Sequence, residues 1–291
     1  GPEWWGVLEK RWEMCRRGKL QSPIDIRPNH LLYDPRLTPI HFDRQTVASE
    51  LVNTGQLPRV RIGNSVRRPP ANMSGGPLGN YRRERGRERQ KGREREEGGK
   101  TNGRSCRYRV QRIDIHFGGH LDPLRGSEHT IQGSHLPMEL QLVAFNSDLY
   151  SNFSVAVRSP HGIAILSILV DLGTQTNEEL LKLTIATASV AFKNKRVELP
   201  NLAPWGLLPL TRHYITYSGS ITSPGCYETV TWMILNQPIH ITSHHLEQWS
   251  RMLKSSSAGP ADDFLAPNLR PIQPDNHRLI RTNIHPRKFK V

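Results

Sequence analysis

The chain has 291 residues, 36% of them apolar, with 40 Lys and Arg against 26 Asp and Glu for a formal charge of +14. No run approaches the ~18 consecutive apolar residues that a membrane-spanning helix needs, so no transmembrane segment is expected, and the length suits one large sheet-rich domain with an insertion. The basic excess favours acidic partners such as heparan-type glycans, anionic membranes or nucleic acid, but much of it is local: Arg82 to Arg107 holds eleven basic residues and five Glu, a net +6.

Short apolar runs broken by Gly, Pro, Asn and Asp dominate the chain, the texture of strands and turns. The sequence opens on Gly1-Pro2-Glu3-Trp4-Trp5 with no charged-then-apolar leader, so the compartment must be read from elsewhere. The first strand is expected at Val60-Arg61-Ile62. A sequon follows at Asn72-Met73-Ser74. Residues 82–107 then interrupt the pattern with Arg, Glu and Gly, no Val, Ile, Leu or Phe, and no periodicity. Such a segment cannot bury enough apolar surface to offset its ordering entropy and is expected to be a disordered insert. Tyr81-Arg82 before it recurs as Tyr108-Arg109 after it, which marks an insertion into an existing turn. Clustered Arg beside Glu reads first as a solvated loop and second as a polyanion contact.

Beyond the insert, strands are expected at Ile113 to Phe117, Glu139 to Val143 and Ile163 to Val170, with a second sequon at Asn152-Phe153-Ser154. A helix is expected over Asn177 to Leu183, introduced by Thr176, then a strand over Val230 to Leu235. A last helix, Ser243 to Lys254 with Ser243 as cap, would pack Leu246, Trp249 and Leu253 on the sheet. Three cysteines, Cys15, Cys106 and Cys226, show no metal-knuckle spacing, and their odd number permits one bridge and one remaining thiol.

Five blocks in order carry a resemblance to the α-class carbonic anhydrases: Gln21-Ser22-Pro23-Ile24-Asp25-Ile26, Ser74-Gly75-Gly76-Pro77-Leu78, Gly126-Ser127-Glu128-His129-Thr130, Gly219-Ser220-Ile221-Thr222-Ser223-Pro224 and Asn268-Leu269-Arg270-Pro271-Ile272-Gln273-Pro274. The resemblance implies a single mainly β (α+β) domain over residues 4–286, built on a large, mostly antiparallel twisted sheet with short peripheral helices. Family chemistry needs a zinc ion held by three neutral imidazoles, which bring bound water to a pKa near ~7. Two of them stand at i and i+2 on one strand and so share a face, and the third comes from the neighbouring strand.

Asp114-Ile115-His116-Phe117-Gly118 is similar to the first ligand strand and Glu139-Leu140-Gln141-Leu142 to the second. Asp114, His116 and Gln141 therefore match the three ligand positions, with one imidazole among them. A neutral amide oxygen is a poor zinc ligand, and a carboxylate makes bound water less acidic, so no zinc and no other cofactor is expected. Arg112, two residues from Asp114 on the same face, is expected to pair with it. Gln56, after Asn53-Thr54-Gly55, matches the proton-shuttle position and does not titrate near neutral pH.

Other family positions are kept. Glu128 and Thr222 match a hydrogen-bonded pair that orients the zinc-bound hydroxide. Val143, Ile165, Ile221 and Trp232 match the apolar cavity wall, and His129, Glu139 and Tyr217 match a buried structural set. The resemblance also implies a Cys15–Cys226 disulfide, and hence the secretory route, with Cys106 left over in the insert. Asn53-Thr54-Gly55, Cys226-Tyr227-Glu228-Thr229 and Arg281-Thr282-Asn283-Ile284 are similar to the acatalytic carbonic anhydrase-related proteins X and XI, although that branch usually has Arg where Asp114 stands. That branch implies a secreted, extracellular neuronal glycoprotein, a pseudoenzyme that binds a neurexin-like cell-surface partner. Its expected glycan positions are Asn72 and Asn152. The alternative is a weak zinc-dependent carbonic anhydrase or esterase using the degenerate metal site.

Overall fold

A computed structural model describes residues 1–63, 70–79, 106–257 and 263–285. Its strands are β1 (Asp25–Ile26), β2 (Leu32–Tyr33), β3 (Ile40–Phe42), β4 (Val47–Asn53), β5 (Pro58–Ile62), β6 (Asn72–Gly75), β7 (Tyr108–Phe117), β8 (Thr130–Ile131), β9 (Met138–Asn146), β10 (Ile163–Leu172), β11 (Arg196–Leu202), β12 (Tyr214–Gly219), β13 (Val230–Leu235), β14 (Ile239–Ile241) and β15 (Arg281–Thr282). One sheet runs β11-β4-β5-β7-β9-β10-β13-β12-β15-β2, with β14 beside β10, and with β6 on β7 carrying β3. Most pairs are antiparallel, as expected, but β13 and β14 lie parallel to β10, and β2 to β15. The sheet is therefore mixed.

Side chains alternate across a strand, and here the alternation separates two cores. Leu140, Leu142, Ala164, Leu166 and Ile168 face one, which is covered by the helices Glu178–Ala186 and Ser243–Ser250. Val143, Phe145, Ile163, Ile165 and Trp232 face the other. Because both faces are covered, β9 is buried at every position, which explains its nearly continuous apolar sequence.

In β7 the register shifts between Val110 and Arg112. The extra residue there is a bulge, which changes the phase of the alternation. Tyr108 and Val110 share the first core with Ile113 and Ile115, and Arg112, Asp114 and His116 are turned to the opposite face.

Several local expectations are corrected. The helix expected from Thr176 is capped instead by Asn177, whose Oδ1 accepts from the amides of Glu179 and Leu180, both at 3.0 Å. Thr176 Oγ1 is occupied by the Thr242 amide and His245 Nδ1. The last helix ends at Ser250, because Leu253 leaves it to bridge Phe264, and Thr242 rather than Ser243 caps it by accepting from His245 N at 3.3 Å. Cys106, placed by sequence in the insert, is buried in the first core. Arg107 likewise belongs to the fold: its amide donates to Asp148 Oδ2 at 2.9 Å. The remainder of the 82–107 insert lies outside the described residues.

Cys15 and Cys226, 211 positions apart in sequence, form a disulfide with Cα atoms 4.9 Å apart. It fastens the N-terminal segment to the turn after β12. A loop of that length restricts the unfolded chain strongly, so the double variant Cys15→Ser/Cys226→Ser is expected to lose ~2–5 kcal/mol of stability, read from its guanidinium midpoint. Trypsin is expected to cut the variant faster at Arg16 and Arg17 than the parent.

Candidate functional site

β5, β7 and β9 bring the ligand-equivalent positions together. Asp114 stands opposite Arg59 of β5 on one side and Gln141 of β9 on the other, and His116 stands opposite Glu139. Asp114 is 4% exposed. Its Oδ1 accepts from Arg59 Nε, and its Oδ2 from Arg112 Nε at 2.8 Å. The expected Arg112–Asp114 pair is formed, and a second guanidinium joins it. Arg112 also lies over the Phe153 ring, 4.9 Å from its centroid. Burial alone would raise the Asp114 pKa, but the charges of Arg112 and Arg59 outweigh it and hold the carboxyl well below the usual range.

His116 is 2% exposed. Its Nδ1 donates to the Asn268 carbonyl at 3.0 Å; a carbonyl only accepts, so this nitrogen carries the proton. Nε2 has no hydrogen-bond partner and lies 3.5 Å from Glu128 Oε2. Burial disfavours the imidazolium, yet the carboxylates of Glu128 and Glu139 win and raise the pKa. Asn268 fixes this arrangement from a loop: its Nδ2 donates to Ile115 O at 2.9 Å and its Oδ1 accepts from Phe117 N at 3.0 Å.

Gln141 uses its amide as a donor, from Nε2 to Glu128 Oε2 at 2.8 Å and to Glu139 Oε1 at 3.2 Å. The other Glu128 oxygen accepts from the Arg270 amide at 3.0 Å. The implied Glu128–Thr222 hydrogen bond is not formed: the partners of Glu128 are the Gln141 side chain and the Arg270 amide. Thr222 still lines the cavity with Gln56, Trp5, Asp114, His116 and Glu128 around about 240 Å3. Gln56 is exposed at that cavity. Asn53 beside it is fully buried and donates to the carbonyls of Val190, Ala191 and Leu253, which makes the preceding turn a structural tie.

Val143, Ile165, Ile221 and Trp232 sit together, buried, in the second core, and none of them lines the cavity around Asp114 and His116, as the resemblance implied they would. His129, Glu139 and Tyr217 join as a buried chain. Glu139 accepts from His129 N at 2.8 Å and pairs with His129 Nδ1 at 2.9 Å, while His129 Nε2 meets Tyr217 Oη at 2.7 Å. Burial would raise the Glu139 pKa, but His129 brings it down to about 2. Arg270 donates to Ser22 O, Cys15 O and Gln21 Oε1 and lies over the Trp5 ring, which ties the N-terminal segment to the cavity.

Two further sequence positions differ in accessibility. Asn152 is exposed and caps the Phe153–Ala156 turn of helix, with Oδ1 accepting from Val155 N. Asn72 is half-buried on β6, with Nδ2 donating to Asp43 Oδ2 at 2.9 Å. Sequence reading missed Arg59. The alternation of Arg59 and Arg61 with Val60 and Ile62 signals an outward polar face, but not which strand lies beside it.

Asp114 and Glu139 hold protons less readily when folded than unfolded. Their stabilisation is complete above the unfolded carboxylate pKa of ~4. It is lost as pH falls, through about 2 for Glu139 and lower still for Asp114. The urea midpoint is expected to drop between about pH 5 and pH 2. In Asp114→Asn, which leaves two guanidiniums facing each other, the protein is expected to be ~3–5 kcal/mol less stable at neutral pH, with a shallower acid limb.

Comparison with known proteins agrees with this geometry. The sequence model of the family described as eukaryotic-type carbonic anhydrase matches residues 1–87 and 88–284. Carbonic anhydrase-like protein 1 of Caenorhabditis elegans is 43% identical over 346 residues, covering 98% of this chain and 87% of that protein. Carbonic anhydrase-like protein 2 of the same organism is 42% identical over 285 residues, covering 98% and 77%. By the family model that covers nearly all of it and by these two relatives, the chain belongs to the eukaryotic-type carbonic anhydrase family.

Proposed function

We propose that this chain is a catalytically silent carbonic anhydrase-related protein, secreted, which works as a binding module for a neurexin-like cell-surface partner. The observation that carries the silent reading is the Asp114 carboxylate clamped between Arg59 and Arg112. Zinc hydration chemistry draws on three neutral nitrogen donors. Here the first position is an anion whose two oxygens already serve two cations, and the third is an amide turned to donate to Glu128 and Glu139. A dication brought to this site would lie beside two guanidiniums, in surroundings of low dielectric where the repulsion is strong. The residues do not fit the metal.

The disulfide supports secretion, since such bonds persist in oxidising compartments, and no helix among the described residues is long and apolar enough to cross a membrane. The neurexin-like partner rests on the resemblance to the acatalytic branch. Asn152, exposed at a helix cap, is the better placed of the two candidate glycan sites. The rival reading, a weak zinc-dependent carbonic anhydrase or esterase, draws on the unpartnered Nε2 of His116 at the cavity.

Zinc calorimetry and CO2 hydration with added zinc separate the two. The unaltered chain is expected to show neither sub-micromolar zinc binding nor metal-dependent turnover. Asp114→His/Gln141→His is expected to remain silent, because Arg59 and Arg112 are still in place. Adding Arg59→Gln and Arg112→Gln to that pair is expected to restore zinc affinity. Metal-dependent turnover by the unaltered chain overturns the proposal. Capture by neurexin-bearing neural membranes tests the partner, and heparin-column retention with and without residues 82–105 tests the polyanion contact.

A further inference from the structure

Among the described residues, β3 lies at an edge of the sheet and pairs with β6 alone. Asp43 N donates to Asn72 O at 3.0 Å and Gly76 N to Pro39 O at 3.2 Å, so odd-numbered residues of this stretch turn their backbone groups toward β6. In an antiparallel pair the intervening residues turn theirs the opposite way. The N–H and C=O groups of Ile40 and Phe42 therefore point out from the edge, and among the described residues no backbone hydrogen bond from elsewhere in the fold reaches them.

Beside that edge is a cavity of about 610 Å3, lined by Ile40 and Phe42, by residues 205–212, and by Leu166, Tyr214 and Leu235 of the first core. It lies on the face of the sheet opposite the metal cavity. Two large apolar side chains are exposed at it, Trp205 at 40% and Leu210 at 100%. Arg44 stands 6.0 Å from the Trp205 ring centroid. Arg44 and Arg212 are exposed at the cavity, and neither forms an ion pair among the described residues. The acid beside Arg44 in sequence, Asp43, is turned to β6, where it accepts from Asn72 N and Nδ2.

Unpaired edges are templates for a further strand, and proteins blunt them by shortness and by charge. This edge is three residues long and flanked by cations, which repel a second copy carrying the same cations and attract an acidic chain. Apolar lining and backbone donors and acceptors together suit an extended segment, for which the backbone supplies affinity and alternate side chains supply specificity.

We propose that this groove captures an extended acidic segment of a partner protein, which adds a strand to β3. Its backbone pairs with Ile40 and Phe42, its apolar side chains meet the partly exposed Ile40, Phe42, Trp205 and Leu208, and its carboxylates meet Arg44 and Arg212. The proposal gives the binding-module reading a particular surface and does not depend on the state of the metal cavity.

The probe is a fluorescent, capped peptide alternating Glu with Val or Ile over six residues, titrated into the full chain by anisotropy, with hydrogen–deuterium exchange to locate it. Saturable binding is expected, with exchange slowed in residues 38–44. Arg44→Glu/Arg212→Glu, two surface changes, is expected to weaken binding at least about tenfold. A peptide N-methylated at alternate residues, and one with Lys in place of Glu, are expected not to bind. No saturation, protection elsewhere, or indifference to N-methylation or to charge sign overturns the proposal. So does a concentration-dependent dimer in sedimentation that protects residues 38–44, which would make a second copy the occupant. These readouts involve neither zinc nor turnover, so failure here is distinguishable from failure of the silent-enzyme reading.

Discussion

Two guanidiniums on one side of a buried sheet face need an anion between them, and Asp114 supplies it. Arg59 arrives from β5 and Arg112 from β7 itself, so the three charges link neighbouring strands at the position where the family binds its metal. Burial of such a cluster is weak grounds for stability, because each ion gives up hydration that the pairing only partly returns. Its main consequence is occupancy. A carboxylate with both oxygens committed to cations is held ionised and oriented away from other duties, and the guanidiniums that hold it make the surroundings unfavourable to a metal dication.

Gln141 extends the same logic from the other side of Asp114. An imidazole there would offer a lone pair to the cavity. An amide instead donates, and two acidic neighbours, Glu128 and Glu139, accept. Glu128 takes this internal amide as a partner. The chain from Glu139 through His129 to Tyr217 and Ser22 is fully paired. Buried polar groups are costly unless satisfied, so these residues hold strands together whether or not any reaction takes place. Retained active-site residues therefore have a structural reason to remain, and their presence argues little for turnover.

Most of the architecture was legible in the sequence because the family blocks are local strings and the strands are alternating or continuous apolar runs. The Cys15–Cys226 pairing was legible by resemblance, and so was the gathering of Asp114, His116 and Gln141 on neighbouring strands. What escaped the sequence depends on register. Arg59 is one outward residue among several until pairing sets it opposite Asp114. Two consecutive polar residues, Gln111 and Arg112, sit between Val110 and Ile113 and mark the bulge, but only the pairing shows that the phase changes there. Caps were misplaced by one residue because Thr176, Asn177, Thr242 and Ser243 are all chemically able to cap, and tertiary contacts decide among them. Cys106 was assigned to the insert by composition, whereas its burial is set by the core into which β7 begins.

The sheet treats its two sides differently, and the difference follows from what each must satisfy. Around Asp114 the side chains of Arg59, Arg112, Gln141 and Glu128 are engaged with internal partners, and His116 Nε2 lies 3.5 Å from a carboxylate. An outside molecule has little to gain there, since any new contact must displace a hydrogen bond already made in low dielectric. At β3 the position is reversed. Among the described residues, backbone donors and acceptors of Ile40 and Phe42 have no partner in the fold, apolar side chains beside them are incompletely covered, and the nearby cations carry no counter-ion. Association gains most where desolvation is cheap and the new bonds are not replacements for old ones. A sheet whose face at Asp114 is occupied by its own charges thus leaves more scope for new contacts at the β3 edge than in that cavity.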